Sequence, residues 1–284
     1  MEIQGIGIFS DVDEQEYRDY KAINQSLLKL CEKSVGHFRY YYDRVGIHEE
    51  EGEKEDALLI GTAVHAAVLE PKKFKERYIN AGINGKNLKA YKEIVSANPE
   101  KIVLTKKQYE ICLGSLDSIA KTETARQLLE VESLNEVSAI CEHVERIVGT
   151  DLKLLLKSRV DRYVTLNKRP CLIDLKTTID ASPQGFPKSI ASFGYHIQGA
   201  FYTHIFEQLT GEPHKDFIII AIEKIPPFAV AVYKLTPEDL KAGRVIFKKW
   251  LYDIANATHY NEWSLYPDTI ANIRLPHWAY SKKD

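Results

Sequence analysis

Leu154-Leu155-Leu156-Lys157-Ser158-Arg159-Val160-Asp161-Arg162-Tyr163-Val164-Thr165, followed after Leu166 to Pro170 by Cys171-Leu172-Ile173-Asp174-Leu175-Lys176-Thr177, reads as two neighbouring β-strands. Alternation puts Arg159, Asp161 and Tyr163 on one face of the first run and Val160 and Val164 on the other, toward a core. In the second run Asp174 and Lys176 alternate with Ile173 and Leu175. A carboxylate and an ammonium thus share a face whose reverse is apolar, and the hairpin sets Asp161 beside them.

Working outward, Val137 to Val148 is a third β-rich run, separated from the first by Gly149-Thr150, so the three runs read as an antiparallel meander. Upstream the pattern is helical. Ile23 to Tyr42 reads as one helix, Glu49 to Asp56 as an acidic solvated loop, and Ala57 to Leu69 as a buried helix that stops before Pro71. Tyr109, Cys112, Leu113, Leu116, Ile119 and Ala120 mark one face of an amphipathic helix. Downstream, a helix over Phe193 to Leu209 ends before Gly211, strands follow at Phe217 to Glu223 and Phe228 to Leu235, and Thr236-Pro237-Glu238-Asp239 opens another helix. The expected fold class is α/β with a central mixed β-sheet flanked by helices. A single domain over residues 1–284 is expected, with a mainly helical part at 20–135, the sheet and its helices at 136–258 and an irregular C-terminal segment at 259–284.

Charge limits what the chain can bind by brute attraction. With 38 Lys and Arg against 40 Asp and Glu the formal charge is -2, so contact with phosphates must be confined to a groove or channel. Candidate basic linings are Lys72, Lys73, Lys75 and Arg77, and separately Arg159 and Arg162. Cys31, Cys112, Cys141 and Cys171 are scattered, with no paired spacing that would frame a metal cluster or disulfides. No signal peptide is visible after Met1, and no apolar run is long enough for a membrane span. A soluble, cytoplasmic protein of a bacterial or phage-infected cell, with no membrane partner and no iron–sulfur cluster, is the expectation.

The two-strand constellation suits phosphodiester hydrolysis. Hard divalent cations take oxygen ligands, so Asp161 and Asp174 can hold magnesium while leaving positions for water and a phosphate oxygen. Lys176 can orient or deprotonate the water, or neutralise transition-state charge. Two other motifs accompany these residues. Gly61-Thr62-Ala63-Val64-His65 places an imidazole one helical turn from a glycine, and Gln198-Gly199-Ala200-Phe201-Tyr202 puts Gln198 and Tyr202 on one helical face, with Tyr195 nearby.

The order GxxxH, acid, acid-x-lysine, QxxxY resembles the RecB-like branch of the PD-(D/E)xK nuclease superfamily, with Val160 in place of the nominal proline. Within that branch the chain looks most like the RecE-type exonuclease VIII nuclease domain and its phage relatives. Asn24-Gln25-Ser26-Leu27-Leu28, Leu69-Glu70-Pro71, Lys157 to Arg162, Asp174 to Thr178 and Leu275-Pro276-His277-Trp278-Ala279 carry that likeness. The resemblance implies a restriction-endonuclease-like core and a metal site formed by His65, Asp161, Asp174 and the Leu175 carbonyl. It also implies catalytic roles for Asp161, Asp174, Lys176, Gln198 and Tyr202, with Mg2+ as cofactor and Mn2+ as a substitute. The implied activity is 5′ to 3′ exonucleolysis at double-stranded DNA ends by a ring-shaped homo-oligomer, leaving 3′ single-stranded tails for a single-strand annealing protein. The alternatives are a RecB-like endonuclease, a repair or CRISPR-associated nuclease, and a catalytically inactive DNA-binding homologue.

Overall fold

In the computed structural model, described over residues 2–47, 56–276 and 280, the chain runs β1 (Gly7–Phe9), α1 (Glu14–Asp19), α2 (Gln25–Lys29) and α3 (Val35–Tyr42). Next come α4 (Asp56–Leu69), α5 (Pro71–Arg77), β2 (Tyr78–Asn80), α6 (Lys89–Ala97), β3 (Ile102–Leu104), α7 (Lys106–Lys121) and α8 (Glu123–Glu130). Then follow β4 (Ser133–Ile147), β5 (Thr150–Leu166), β6 (Arg169–Thr178), α9 (Phe186–Phe193), α10 (Tyr195–Thr210), β7 (Asp216–Glu223), β8 (Val230–Lys234) and α11 (Pro237–Tyr260). Among these residues no helix is long and apolar enough to cross a membrane.

The main sheet has the order β1-β4-β5-β6-β7-β8. All neighbours are antiparallel except β6 and β7, which are parallel and joined through α9 and α10. The expected mixed sheet flanked by helices is therefore the observed one. The two hairpins of the meander follow from local chemistry: Val148 and Gly149 in one turn, and Asn167 and Lys168 in the other, all have positive φ, the arrangement that matches strand twist in two-residue loops. Pro170, placed in a loop by the sequence reading, belongs to β6 opposite Thr165. It is tolerated because β7 pairs with β6 only from Cys171 onward.

Both sheet faces are covered. Leu172, Ile219 and Ala221 face a core shared with α2, α3, α10 and α11, whereas Ile173, Leu175, Ile220 and Ile222 face a second core shared with α4, α5 and α7. The first layer packs closely. A Cβ on Gly199 would come within 3.0 Å of Phe217, and one on Gly243 would lie 2.3 Å from the His196 carbonyl oxygen, so α10 can approach the sheet and α11 only through glycine.

Two sequence readings change. Ile23 to Tyr42 is not one helix: Asn24 caps α2, Leu30–Glu32 is a 3-10 turn, and the Ser34 hydroxyl accepts from the His37 N–H to start α3. Polar caps inside an apolar pattern redirect the chain. The helix expected from Phe193 begins earlier as α9, breaks at left-handed Gly194 and resumes as α10. Glu49 to Glu55 and His277 to Ala279 lie outside the described residues. Beyond α11, residues 262–276 carry no helix or strand.

Candidate metal centre and cleft

The β5–β6 ladder runs from Leu166↔Arg169 to Arg162↔Ile173 and stops there. Past that point the strands part, and the candidate residues occupy the opening. Asp161 Oδ2 accepts the Leu175 N–H at 2.6 Å across the gap. On the other side it lies 3.4 Å from His65 Nδ1, which α4 supplies. Gly61, one turn before His65, sits where a Cβ would be 3.6 Å from Thr177 Oγ1, so α4 rests directly on the end of β6.

Strand alternation fails at Asp161. Val160 faces the first core, yet Tyr163 packs against that same core while Val164 faces the second, so Tyr163 and Val164 do not lie where the sequence period puts them. The cause is across the ladder. Asn135 pairs with Arg162 and Val137 with Val160, which leaves Glu136, with φ +51°, opposite Asp161 in an unbridged step. The kink turns Asp161 and Arg162 away from the first core together. Arg162, a candidate DNA contact in the sequence, is instead buried and structural: its guanidinium donates to Asn135 Oδ1 and to the Leu129 and Val131 carbonyls at the end of α8.

Glu136 is the residue that sequence reasoning missed. Ligand atoms of His65, Glu136 and Asp161 all lie within 4.8 Å of one another. Metal–ligand bonds of about 2 to 2.6 Å require spacings of this order, and one imidazole nitrogen with two carboxylates suits a divalent cation, so the residues present fit a metal. Arg159 Nε donates to Glu136 Oε2 at 2.9 Å, and its Nη1 is buried without a hydrogen-bond partner.

Asp174 and Lys176 project from β6 on the side of α10. Asp174 Oδ1 accepts from Gln198 Nε2 at 3.0 Å, and Oδ2 lies 2.5 Å from Lys176 Nζ but makes no hydrogen bond of proper geometry. Asp174 is outside the tight trio of ligand atoms among the described residues. Lys176 Nζ stands 5.0 Å from the centre of the Tyr195 ring. Tyr202, one turn past Gln198, packs into the first core against Phe201 and Phe217.

The electrostatics are those of charges crowded out of water. Burial pushes Asp174 up to about 6, with the nearby Asp161 charge adding to it against the pull of Lys176. Burial and the Asp161 charge likewise push Glu136 up to about 7 despite Arg159. For Asp161 burial acts upward, but His65, Lys176 and the Leu175 N–H outweigh it and hold the group below its ordinary value. Burial opposes a charged His65, yet Asp161 raises it to about 9. Burial also opposes a charged Lys176, and Asp174 and Asp161 overcome it, so its value is raised.

All of these groups except buried Asp174 line a cleft of about 560 Å³ whose wall includes His65, Glu136, Arg159, Asp161, Leu175, Lys176 and Tyr195 together with Tyr17, Lys73 and Arg77. Lys73 and Arg77 of the basic stretch line it; Lys72 and Lys75 do not. Lys73 is paired with Glu70. The wall opposite β6 is α1, fastened by Lys157: its buried Nζ donates to the carbonyls of Tyr17, Arg18 and Tyr20 at 2.7, 3.0 and 2.6 Å.

No curated protein matches the chain. The structure is similar to that of a "putative exonuclease" from Eubacterium rectale, with 16% identity, a TM-score of 0.55, and 96% of this chain and 97% of that chain covered. At that identity the likeness concerns the fold. A weaker likeness to SSO0001 (16% identity, TM-score 0.31, 80% and 84% covered) carries no argument. The same holds for protein VC1899 from Vibrio cholerae (9%, 0.21, 88% and 60%). Over residues 24–276 the chain matches the PDDEXK-like domain of unknown function DUF3799, and it belongs to that family.

Proposed function

We propose that this protein is a divalent-metal-dependent deoxyribonuclease that degrades linear double-stranded DNA from its ends. The observation that carries the reading is the meeting of His65, Glu136 and Asp161, from three separate elements, in one cleft with Lys176, which is paired with buried Asp174. His65, Asp161 and Glu136 would hold the ion, with Asp174 and the Leu175 carbonyl as the further ligands the motif order implies. Mg2+, replaceable by Mn2+, would supply Lewis-acid charge to a phosphate oxygen.

The chain's own groups do the rest. Lys176, kept charged by Asp174, sets an ammonium against the charge that grows on the phosphate. Gln198 holds Asp174 in place for that pairing, and Tyr202, one turn further along the same helix, anchors that helix in the first core. Arg159, whose Nη1 has no hydrogen-bond partner, and Arg77 on the cleft wall would meet a phosphate oxygen.

The finer reading is 5′ to 3′ exonucleolysis by a ring-shaped homo-oligomer that hands 3′ tails to a single-strand annealing protein. Two considerations support it: with a net charge of -2, enclosure suits the retention of DNA better than an all-basic surface, and the motif order resembles that of RecE-type enzymes. The test is a time course on long linear duplex and on covalently closed circular DNA, with magnesium or with EDTA, competitor DNA being added after loading. Shortening of linear DNA that persists past competitor and stops with EDTA is the expected result. Nicking of circles would replace the exonuclease with an endonuclease, arrest by competitor would remove processivity, and intact DNA throughout would leave a DNA-binding protein.

A further inference from the structure

The chemistry above leaves a row of aromatic rings unused. Tyr233 stacks on fully buried Phe186 with centroids 5.3 Å apart and planes at 17°. Phe186 meets Tyr195 at 6.2 Å, and Tyr195 stacks on Phe193 at 5.6 Å and 26°. The row runs from the core past Lys176, which lies 5.0 Å from the Tyr195 ring centre, and ends in a Phe193 that is 60% exposed.

A single exposed phenylalanine is ordinary, and position and rigidity distinguish this one. Phe193 is the last residue of α9, and left-handed Gly194 turns the chain into α10 in one step. Lys29 clamps the corner from α2, its ammonium donating to the Ser192 and Phe193 carbonyls at 3.2 and 3.1 Å. The exposed Phe193 ring therefore sits on a fixed backbone corner, two residues from a ring that lines the cleft and stacked on it.

The geometry points to Phe193, backed by Tyr195, as a stacking platform for an unpaired nucleobase of the strand whose phosphate lies at Lys176. The inference rests on the nuclease reading for the identity of the polymer and adds a base-binding subsite to it. Phenylalanine offers a π face and no hydrogen-bonding group, so the subsite takes any base and selects for a base that is not stacked in a duplex. It favours DNA whose terminal pair has opened, and it fixes the next phosphodiester relative to Lys176.

The probe is a hairpin duplex with an unpaired end carrying 2-aminopurine, bound by the full chain with calcium in place of magnesium, for the wild type, Phe193→Ala and Phe193→Tyr. Stacking quenches the fluorophore. Wild type and Phe193→Tyr should quench it, Phe193→Ala should not, and Phe193→Ala should bind the frayed end at least about fivefold more weakly, the lower end of base–aromatic stacking. Equal quenching and affinity in wild type and Phe193→Ala overturns the inference, as does a change in oligomeric mass caused by Phe193→Ala, which would assign the ring to a contact with a second copy. Wild-type cutting of linear duplex with an unaltered Phe193→Ala response sinks the platform alone, whereas a wild type that neither cuts nor binds DNA sinks the nuclease reading as well.

Discussion

Leu175 and Asp161 are joined by a hydrogen bond from the backbone N–H of one to the carboxylate of the other, where their two strands have ceased to pair. The orientation of the Asp161 carboxylate is thus set by backbone. In Asp161→Asn the amide oxygen can still accept that N–H, so the fold should survive while the charge is lost. Magnesium-supported cleavage should fall roughly 100-fold or more. In the metal-free variant the His65 imidazole, raised to about 9 by Asp161 against its burial, should titrate at lower pH, which histidine NMR can follow. A His65 titration that does not move would disconnect the two residues.

Glu136→Gln tests the carboxylate that faces Asp161. The variant keeps a hydrogen-bond acceptor for Arg159 and removes one anionic ligand, so the magnesium concentration for half-maximal cleavage should rise by about tenfold or more, with little change in melting temperature. An unchanged magnesium requirement would make Glu136 a partner of Arg159 only.

Lys176→Ala should cost both activity and stability. Cleavage should drop by about 10²–10³, the usual loss when one positioned charge is taken from a transition state. The side chain of Asp174 is 3% exposed and that of Lys176 18%, so the variant strands a buried carboxylate, and metal-free stability should fall by about 3 kcal/mol in urea denaturation. Adding Asp174→Asn should restore much of the stability and none of the activity. A double variant as unstable as the single one would refute the buried-pair account.

Acid lability should trace partly to His204. Burial, then the neighbouring His143, Lys248 and Arg244, push it down to about 3 from an ordinary 6.5, and its Nε2 meets His143 Nδ1 at 3.4 Å. Between those values the unfolded chain binds a proton that the folded chain refuses, so stability falls as pH drops below 6.5 and is unaffected by this group above it. The limiting slope is about 1.4 kcal/mol per pH unit. His204→Gln should flatten the wild-type slope between pH 6.5 and 4 in urea melts; identical slopes would exonerate His204.

What was legible in the sequence was what a single period carries. The meander, the pairing of Asp174 with Lys176 on one face and of Ile173 with Leu175 on the other, and the helix bearing His65 follow from spacings of two and four residues. Glu136 was illegible by that route, because it follows polar Asn135 just before the run read from Val137, and its approach depends on a kink at positive φ. A signal did exist. Counting back from the Val148-Gly149 turn, Asp161 lies eleven residues beyond Thr150 and Glu136 eleven before Ile147, so a fixed hairpin register places them opposite each other. The broken helix at Leu30–Glu32 and the burial of Arg162 were hidden for another reason: caps and carbonyl acceptors act through hydrogen bonds that hydrophobic patterning does not record.

Lys157 and Asp161 stand four residues apart on β5, the first gripping the end of α1 and the second meeting His65. A single span of backbone therefore sets the distance between the wall of the groove and the floor on which an ion would sit. Withdrawing α1 would strip a buried ammonium of all its acceptors at once, so this side of the groove does not act as a door. Its width is an heirloom of folding, already in place before any ligand arrives, and the ordering cost of shaping it does not recur at each encounter.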